Sequence, residues 1–479
     1  MIELLINFVV LFAYTQFPPD TMWTRTYGGE YSDGAYQVQP TIDSGFIVTG
    51  WTSLTPFDRD VYLIKTDDEG ILQWIRTIGG GGHDIGRSVA QTSDKGYVIA
   101  GETSSYGAGS FDVYLIKFDS AGNLLWEKTF GRSFQDGARS IQELPDGGFI
   151  IAGLTDSLGF GAFKVYLLKT DAQGEIIWEK TYGGQGACWA EEVRQTNDGG
   201  YIIIGRNYSS GSGDIYLVKC DFNGDTLWTK IFGNNGEDYG FSVRQTPDNG
   251  YIICGCTSSL GAGGYDIYLI KTDSAGVRIW EKTFGGANDD YGYSVALAND
   301  GFLVSGASNS LGQGAFDIYL IKTDNSGNTL WYKTIGGIED EISYSAQHTL
   351  DDGWIIAGTT RSFGSGTPGQ PNLYLVKLGS EVVVTEVKRE EKGVLLSLSP
   401  TLFRDKLTLK LTTTLRSPLQ IVLYDAVGNK VYEKYNNPAP TIELTGRGIS
   451  LLKSGIYFLS VYSNGKKIGM FKVIHLSAK

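Results

Sequence analysis

The chain has 479 residues, a formal charge of −13 and 65 glycines, with aromatic residues at 13%. An acidic balance of this size argues against binding to nucleic-acid backbones or to anionic membrane surfaces. Its four cysteines and three histidines show no metal-ligand spacing, so no metal site is expected.

In chain order, Leu4 to Ala13 form an apolar run too short to span a bilayer, and residues 1–15 resemble a secretory signal leader. No other segment is a candidate membrane span. From residue 22 to 378 one unit recurs every fifty residues or so, anchored by Trp23, Trp74, Trp126, Trp178, Trp228, Trp280 and Trp331. A period of this size in an all-β pattern indicates sheets arranged around an axis or along a solenoid. In the unit from Tyr239 to Phe284, Gly240–Thr246 alternates polar and apolar residues and Pro247–Gly250 is a turn signal. Tyr251–Thr257 and Tyr265–Lys271 are nearly continuous apolar strands, as expected where both faces are covered. Asp273–Gly276 turns the chain into Arg278–Phe284, the fourth strand. Four short antiparallel strands per unit predict the blades of a propeller rather than a solenoid, which usually repeats at shorter intervals. The first Trp phrase precedes any complete unit and the last unit ends at Tyr374–Lys377 without one. The amino-terminal strand is therefore expected to complete a seventh blade and close the ring.

The phrase Asp-x-x-Gly-x-x-x-Trp, as at Asp67, Gly70 and Trp74, recurs through Asp324, Gly327 and Trp331. It resembles the tryptophan-docking motif of quinoprotein-type propellers, which implies indoles packed between blades and does not bring a quinone with it. No cofactor is expected.

Residues 379–393 are charged and read as a linker. Residues 394–479 carry seven or so short strand patterns, which predict an immunoglobulin-like β-sandwich. Within them, Leu423-Tyr424-Asp425-x-x-Gly428-x-x-Val431 and Ser454-Gly455-Ile456-Tyr457-Phe458 are similar to the type A sorting domain of type IX secretion. The resemblance implies export, with the secretion machinery as partner and a secreted or cell-surface destination. Lys388 to Lys479 carry a balance of +9, leaving −22 on the rest of the chain.

Cys188, Cys220, Cys254 and Cys256 read as buried thiols, with a Cys188–Cys256 bridge between neighbouring blades as the alternative. The longer loops, after each Trp phrase and between the second and third strands, share one face, which is the expected ligand surface. Asp33, Asp84, Asp136, Asp238 and Asp290 hold one repeated position there. They would either ring the channel mouth for a cation or basic ligand, or accept backbone hydrogen bonds of their own loops. Positions that break the repeat are the other candidates: Trp51 and Arg206 after the strand-ending glycines, Trp189 and Tyr208 nearby, and Lys164 where other blades have Asp. The first four would make a stacking surface for a sugar or peptide.

No nucleophilic triad, phosphate loop or other catalytic constellation is visible, so no catalytic residue is assigned. The expected function is that of a monomeric, secreted or cell-surface binding scaffold with a glycan or protein ligand. The alternative is a glycan hydrolase or lyase with carboxylates at the channel mouth. A quinoprotein is a third reading, resting on the Trp motif alone.

Overall fold

The structure is a computed structural model describing residues 12–475 except 157–162, 210, 365, 381, 388, 392–393, 400–401, 404–405, 412–417, 426–428, 438, 440, 446–454 and 464. Two compact units result, Asp20–Ser380 and a second made of residues up to Pro19 together with Glu381–Lys479. The described residues are all-β, and among them no helix is long and apolar enough to cross a membrane.

Asp20–Ser380 is a seven-bladed propeller, each blade a four-stranded antiparallel meander. Blade 1 runs through Asp33–Pro40, Phe46–Thr52, Asp60–Thr66 and Leu72–Ile78, from the channel outward, and blades 2 to 6 repeat that order. Blade 7 takes Glu341–His348, Trp354–Thr360 and Asn372–Leu378 from the end of the repeat and Thr21–Tyr27 from its start. Trp23 pairs with Lys377 and Tyr27 with Leu373, so the ring is closed by the amino-terminal strand as expected.

The apolar second and third strands are buried on both faces because each blade is covered by the next. Ile47, Val61 and Leu63 of blade 1 pack with Val89, Tyr97, Ile99 and Tyr114 of blade 2, and the other interfaces repeat this arrangement. Each indole reaches across to the following blade. Trp74 lies 5.7 Å from Tyr97 and Trp178 lies 6.1 Å from Tyr201, ring centre to ring centre. The glycine of the Asp-x-x-Gly turn is needed twice over. At Gly122 the backbone is left-handed (φ 77°), and a Cβ there would sit 3.0 Å from the Trp74 ring.

A sevenfold polar pin accompanies this packing. The lysine of each third strand, buried in six blades and half-buried at Lys169, pairs with the aspartate of its blade's inner hairpin: Lys65 with Asp43 at 2.8 Å, Lys117 with Asp94 at 2.9 Å, and so on to Lys377 with Asp351 at 2.9 Å. Each ammonium is thus compensated where the strand is driest.

In the second unit, one sheet orders Arg389–Glu391, Val394–Ser399, Lys406–Leu411 and Thr441–Thr445. The other orders Leu402–Phe403, Lys466–His475, Gly455–Ser463, Leu419–Asp425 and Lys430–Asn436, and buries Leu419, Ile421, Leu423, Leu459 and Val461. The segment read as a linker carries strands, and its Val382–Val387 pairs antiparallel with Phe12–Phe17. Three consecutive valines there outweigh the flanking charges, because β-branched residues favour extended backbone. Residues 1–11 of the expected leader, and Gly428 and Ser454 of the sorting pattern, lie outside the described residues. All four cysteines are free and buried, so the Cys188–Cys256 bridge does not form. The Cys188 thiol instead lies 3.3 Å from the Tyr182 carbonyl.

Candidate functional site

The seven inner strands enclose a cavity of about 550 Å³ on the propeller axis. What faces it is decided by a β-bulge. Every inner strand slips by one residue against its neighbour at the same place, between Ala35 and Gln37 in blade 1 and between Ser343 and Ser345 in blade 7. A bulge leaves one residue outside the ladder and re-aims its side chain. The residues so released are Tyr36, Arg87, Arg139, Glu191, Phe241, Tyr293 and Tyr344, and all of them line the cavity. The position itself takes Tyr, Arg, Glu or Phe, whereas five of the seven blades have Asp three residues before it and five have Ser directly after it. That contrast, a changing residue inside a run that reads Asp-x-Gly-x-Ser in blades 2, 5 and 6 and approximates it in the others, is the sequence signal for these residues, and reading the repeat strand by strand passes over it.

These seven residues divide the wall. Blades 5, 6, 7 and 1 supply aromatic rings in mutual contact: Phe241 is 4.9 Å from Tyr293, Tyr293 is 5.1 Å from Tyr344, and Tyr344 is 5.4 Å from Tyr36. Blades 2, 3 and 4 supply Arg87, Arg139 and Glu191. Of the seven released residues the aromatic ones thus lie on one side and the charged ones on the other, with Arg244 of blade 5 also lining the cavity.

One residue further along each strand, a polar side chain accepts a backbone N–H from the next blade. Ser88 Oγ accepts from Ile141 at 3.0 Å, Ser140 from Val193 at 3.2 Å, Ser242 from Val295 at 3.2 Å and Ser294 from Ala346 at 3.3 Å. Ser345 accepts from Val38 at 3.4 Å, which carries the stitching across the closure between blades 7 and 1. Longer side chains make the same bond in two blades, where Gln37 accepts from Val89 at 2.6 Å and Glu192 from Val243 at 2.8 Å.

Glu192 also holds Arg244 at 2.6 Å and Arg194 at 2.5 Å. Burial works to raise its carboxyl, but Arg194, Arg244 and the Val243 N–H outweigh it and hold the group down at about 2. Glu102 lies between Arg87 at 2.6 Å and Arg139 at 3.4 Å. Its carboxyl is likewise lowered, burial being overcome by the two guanidinium groups. Glu191 accepts from Trp189 Nε1 at 3.0 Å and pairs with Arg206 at 3.3 Å. All three carboxylates are thus committed to cations. The donors are in surplus: Nε of Arg139, Arg194 and Arg206 is buried without a partner.

The predicted site residues fall into two groups. Trp189 and Tyr208 stack at 5.3 Å, and Arg206 lies over Trp189 at 5.6 Å and over Tyr239 at 4.1 Å, so these three come together in blade 4. They begin a rim of aromatic contacts that continues through Tyr239, Tyr265 and Tyr291 to Phe316. Trp51 does not join them. It is buried in blade 1 against Tyr36 at 4.8 Å, with Arg59 over its ring and its Nε1 unpartnered.

The repeated acids are buried and occupied with their own loops. Asp136 accepts the Arg132 N–H at 2.7 Å, Asp238 the Asn234 N–H at 3.0 Å, and Asp290 the Gly286 N–H at 2.8 Å. Ser259 and Ser310 add hydroxyl bonds to Asp238 and Asp290. Lys164 Nζ donates to the Gly184 and Gly186 carbonyls of the loop after the fourth strand, whereas the aspartates at this position in other blades accept amide N–H groups from the loop before the third, as Asp112 does from Gly109 and Asp266 from Ala262. Among the described residues no His, Cys, Asp or Glu cluster has metal-binding geometry.

Residues 400–475 match the family described as Secretion system C-terminal sorting domain. A domain of this kind implies export and attachment at the cell surface, with the secretion machinery as a partner. A comparison with curated proteins returns no match. Among solved structures, the Pan2 WD40 domain of Neurospora crassa is 12% identical over 77% of this chain and 98% of its own, with a TM-score of 0.48. YCF48 bound to D1 peptide is 12% identical over 76% and 97%, with a TM-score of 0.46. The β-propeller domain of the Trilobed protease from Pyrococcus furiosus is 11% identical over 74% and 97%, with a TM-score of 0.39.

Proposed function

We propose that this exported propeller is a surface binding module whose ligand sits in the axial cavity, between the aromatic wall of blades 5, 6, 7 and 1 and the charged wall of blades 2 to 4. The observation that carries this reading is the bulge. Seven side chains, one from each blade, are released from the ladder at the same bulge into one cavity, and between them they supply tyrosine, phenylalanine, arginine and glutamate. Rigid frames with variable projecting groups are how recognition surfaces are usually built.

Binding is favoured over hydrolysis by the state of the carboxylates. Glycoside cleavage needs an acid and a second carboxylate facing substrate. Glu102 and Glu192 are each held by two arginines, and Glu191 by Arg206 and the Trp189 indole.

The test is a glycan and peptide array run in parallel with hydrolysis assays, on the wild type, Trp189→Ala and Tyr293→Ala. A ligand retained by the wild type and lost in Tyr293→Ala supports the reading. Binding that is indifferent to both substitutions would remove the cavity from the account, and turnover abolished by Glu191→Gln would end the binding-only view.

A further inference from the structure

We infer that the cavity takes an acidic saccharide, a uronate-bearing sugar with its C–H face on the aromatic wall and its carboxylate toward the arginines of blades 2 to 4. This deepens the binding reading above and rests on it.

Charge is the first argument. Four arginines and two glutamates line the cavity, Arg87, Arg139, Arg206 and Arg244 against Glu191 and Glu192, a local excess of +2. The chain outside the basic tail carries −22. The two guanidinium charges in excess of the cavity glutamates carry a desolvation cost that the packing does not require, because each cavity glutamate already has its cation. Hydrogen-bonding capacity is the second. Arg139 and Arg206, on adjacent blades, each keep a buried Nε without a protein acceptor, while their terminal nitrogens are the ones that reach Glu102 at 3.4 Å and Glu191 at 3.3 Å. Buried guanidinium groups are normally satisfied, and the acceptor that suits their fork best is a planar carboxylate.

The opposite wall selects the rest of the ligand. Phe241, Tyr293, Tyr344 and Tyr36 are half-buried and inclined to one another by 52–63°; Arg206 lies over Phe241 and Arg87 over Tyr36 at the two ends, with Tyr293 and Tyr344 between them. The faces of such rings are electron-rich and attract the weakly positive C–H groups of a pyranose. A volume of about 550 Å³ lies in the range of small-ligand sites. An extended peptide is the disfavoured occupant. Peptides commonly bind sheets by adding a strand, and the inner-strand N–H groups of Val89, Ile141, Val193 and Val243 are already given to the neighbouring blade.

The experiment is calorimetric titration of the full chain with three probes of similar size: a trigalacturonate, the corresponding neutral galactotriose and a triaspartate peptide. The expected result is binding of the trigalacturonate at least tenfold tighter than the neutral sugar, weakening as salt rises. Arg139→Gln should lower that affinity roughly 10- to 100-fold. It should leave the neutral sugar unaffected, and Arg139→Lys should recover part of the loss. Glu102 keeps Arg87 as its partner in both variants, and thermal melts of each confirm the fold. Equal affinity for charged and neutral sugars would overturn the uronate assignment while leaving a saccharide-binding propeller. Preference for the peptide, sensitive to Tyr293→Ala, would overturn it in favour of a protein ligand. Absence of binding by all three probes would also overturn it, and the array above then decides whether the cavity binds anything at all.

Discussion

Glu192→Gln separates the charge of the cavity from its shape. The substitution is nearly isosteric, and the fold already demonstrates that glutamine fits. Gln37 holds the equivalent place in blade 1 and accepts both the Val89 N–H at 2.6 Å and the Ser88 hydroxyl at 2.8 Å. What glutamine cannot supply is the anion between Arg194 and Arg244. The Glu192 carboxyl titrates at about 2 in the folded chain against an ordinary 4.5, a depression that corresponds to about 3 kcal/mol of stability at neutral pH. Because the folded value is the lower one, this contribution is complete above pH 4.5 and is lost as pH falls toward 2. Denaturant titrations read by tryptophan fluorescence suit the measurement. All ten tryptophans lie between Trp23 and Trp354, so the signal reports the propeller and not the tail. The variant should be less stable by about 3 kcal/mol at pH 7, and the gap should shrink to about three-fifths of that by pH 3.5. Equal stability at pH 7, or a gap that widens on acidification, would refute the reasoning.

Gly122→Ala places a Cβ against the Trp74 ring on left-handed backbone and should cost about 1–2 kcal/mol, measured by the same fluorescence titration. Deleting Met22–Gly28 removes the outer strand of blade 7 and exposes Leu373–Lys377 as an open edge. Light scattering should then report aggregation, or calorimetry a sharply lowered Tm. In the native chain no cysteine should react with a thiol reagent at pH 8. Burial raises Cys254 and Cys256, the latter to about 12, and also raises Cys188 and Cys220. All four should appear on adding denaturant, and rapid labelling of the folded protein would contradict the packing around them.

The architecture was legible because each of its requirements is local and repeated. Apolar second and third strands, left-handed turn glycines and a tryptophan for every interface leave the same mark in each unit. The single strand left over at the start and the three left over at the end announced closure for the same reason. The cavity was less legible because a bulge is a register event. Alternation along Asp33–Pro40 assigns Tyr36 to a sheet face, and only the slip between Ala35 and Gln37 turns it toward the axis. The grouping of Trp189, Arg206 and Tyr208 followed from their proximity within one blade. Including Trp51 failed because blades 1 and 4 are separated around the ring, and its side chain turns instead onto Tyr36. The repeated aspartates illustrate a different lesson. Their recurrence reflected the loops they tie down, as Asp136 does with the Arg132 N–H.

The bulge has a further consequence for how such a chain changes over generations. The residue it releases takes no part in the strand ladder of its own blade, and the indole seats and lysine pins are made elsewhere. Substitution at these seven places therefore alters what the axis presents to the outside while leaving the ladder, the indole seats and the lysine pins in place; its structural cost falls on the local partners, such as Glu102 for Arg87 and Arg139 or Trp51 for Tyr36.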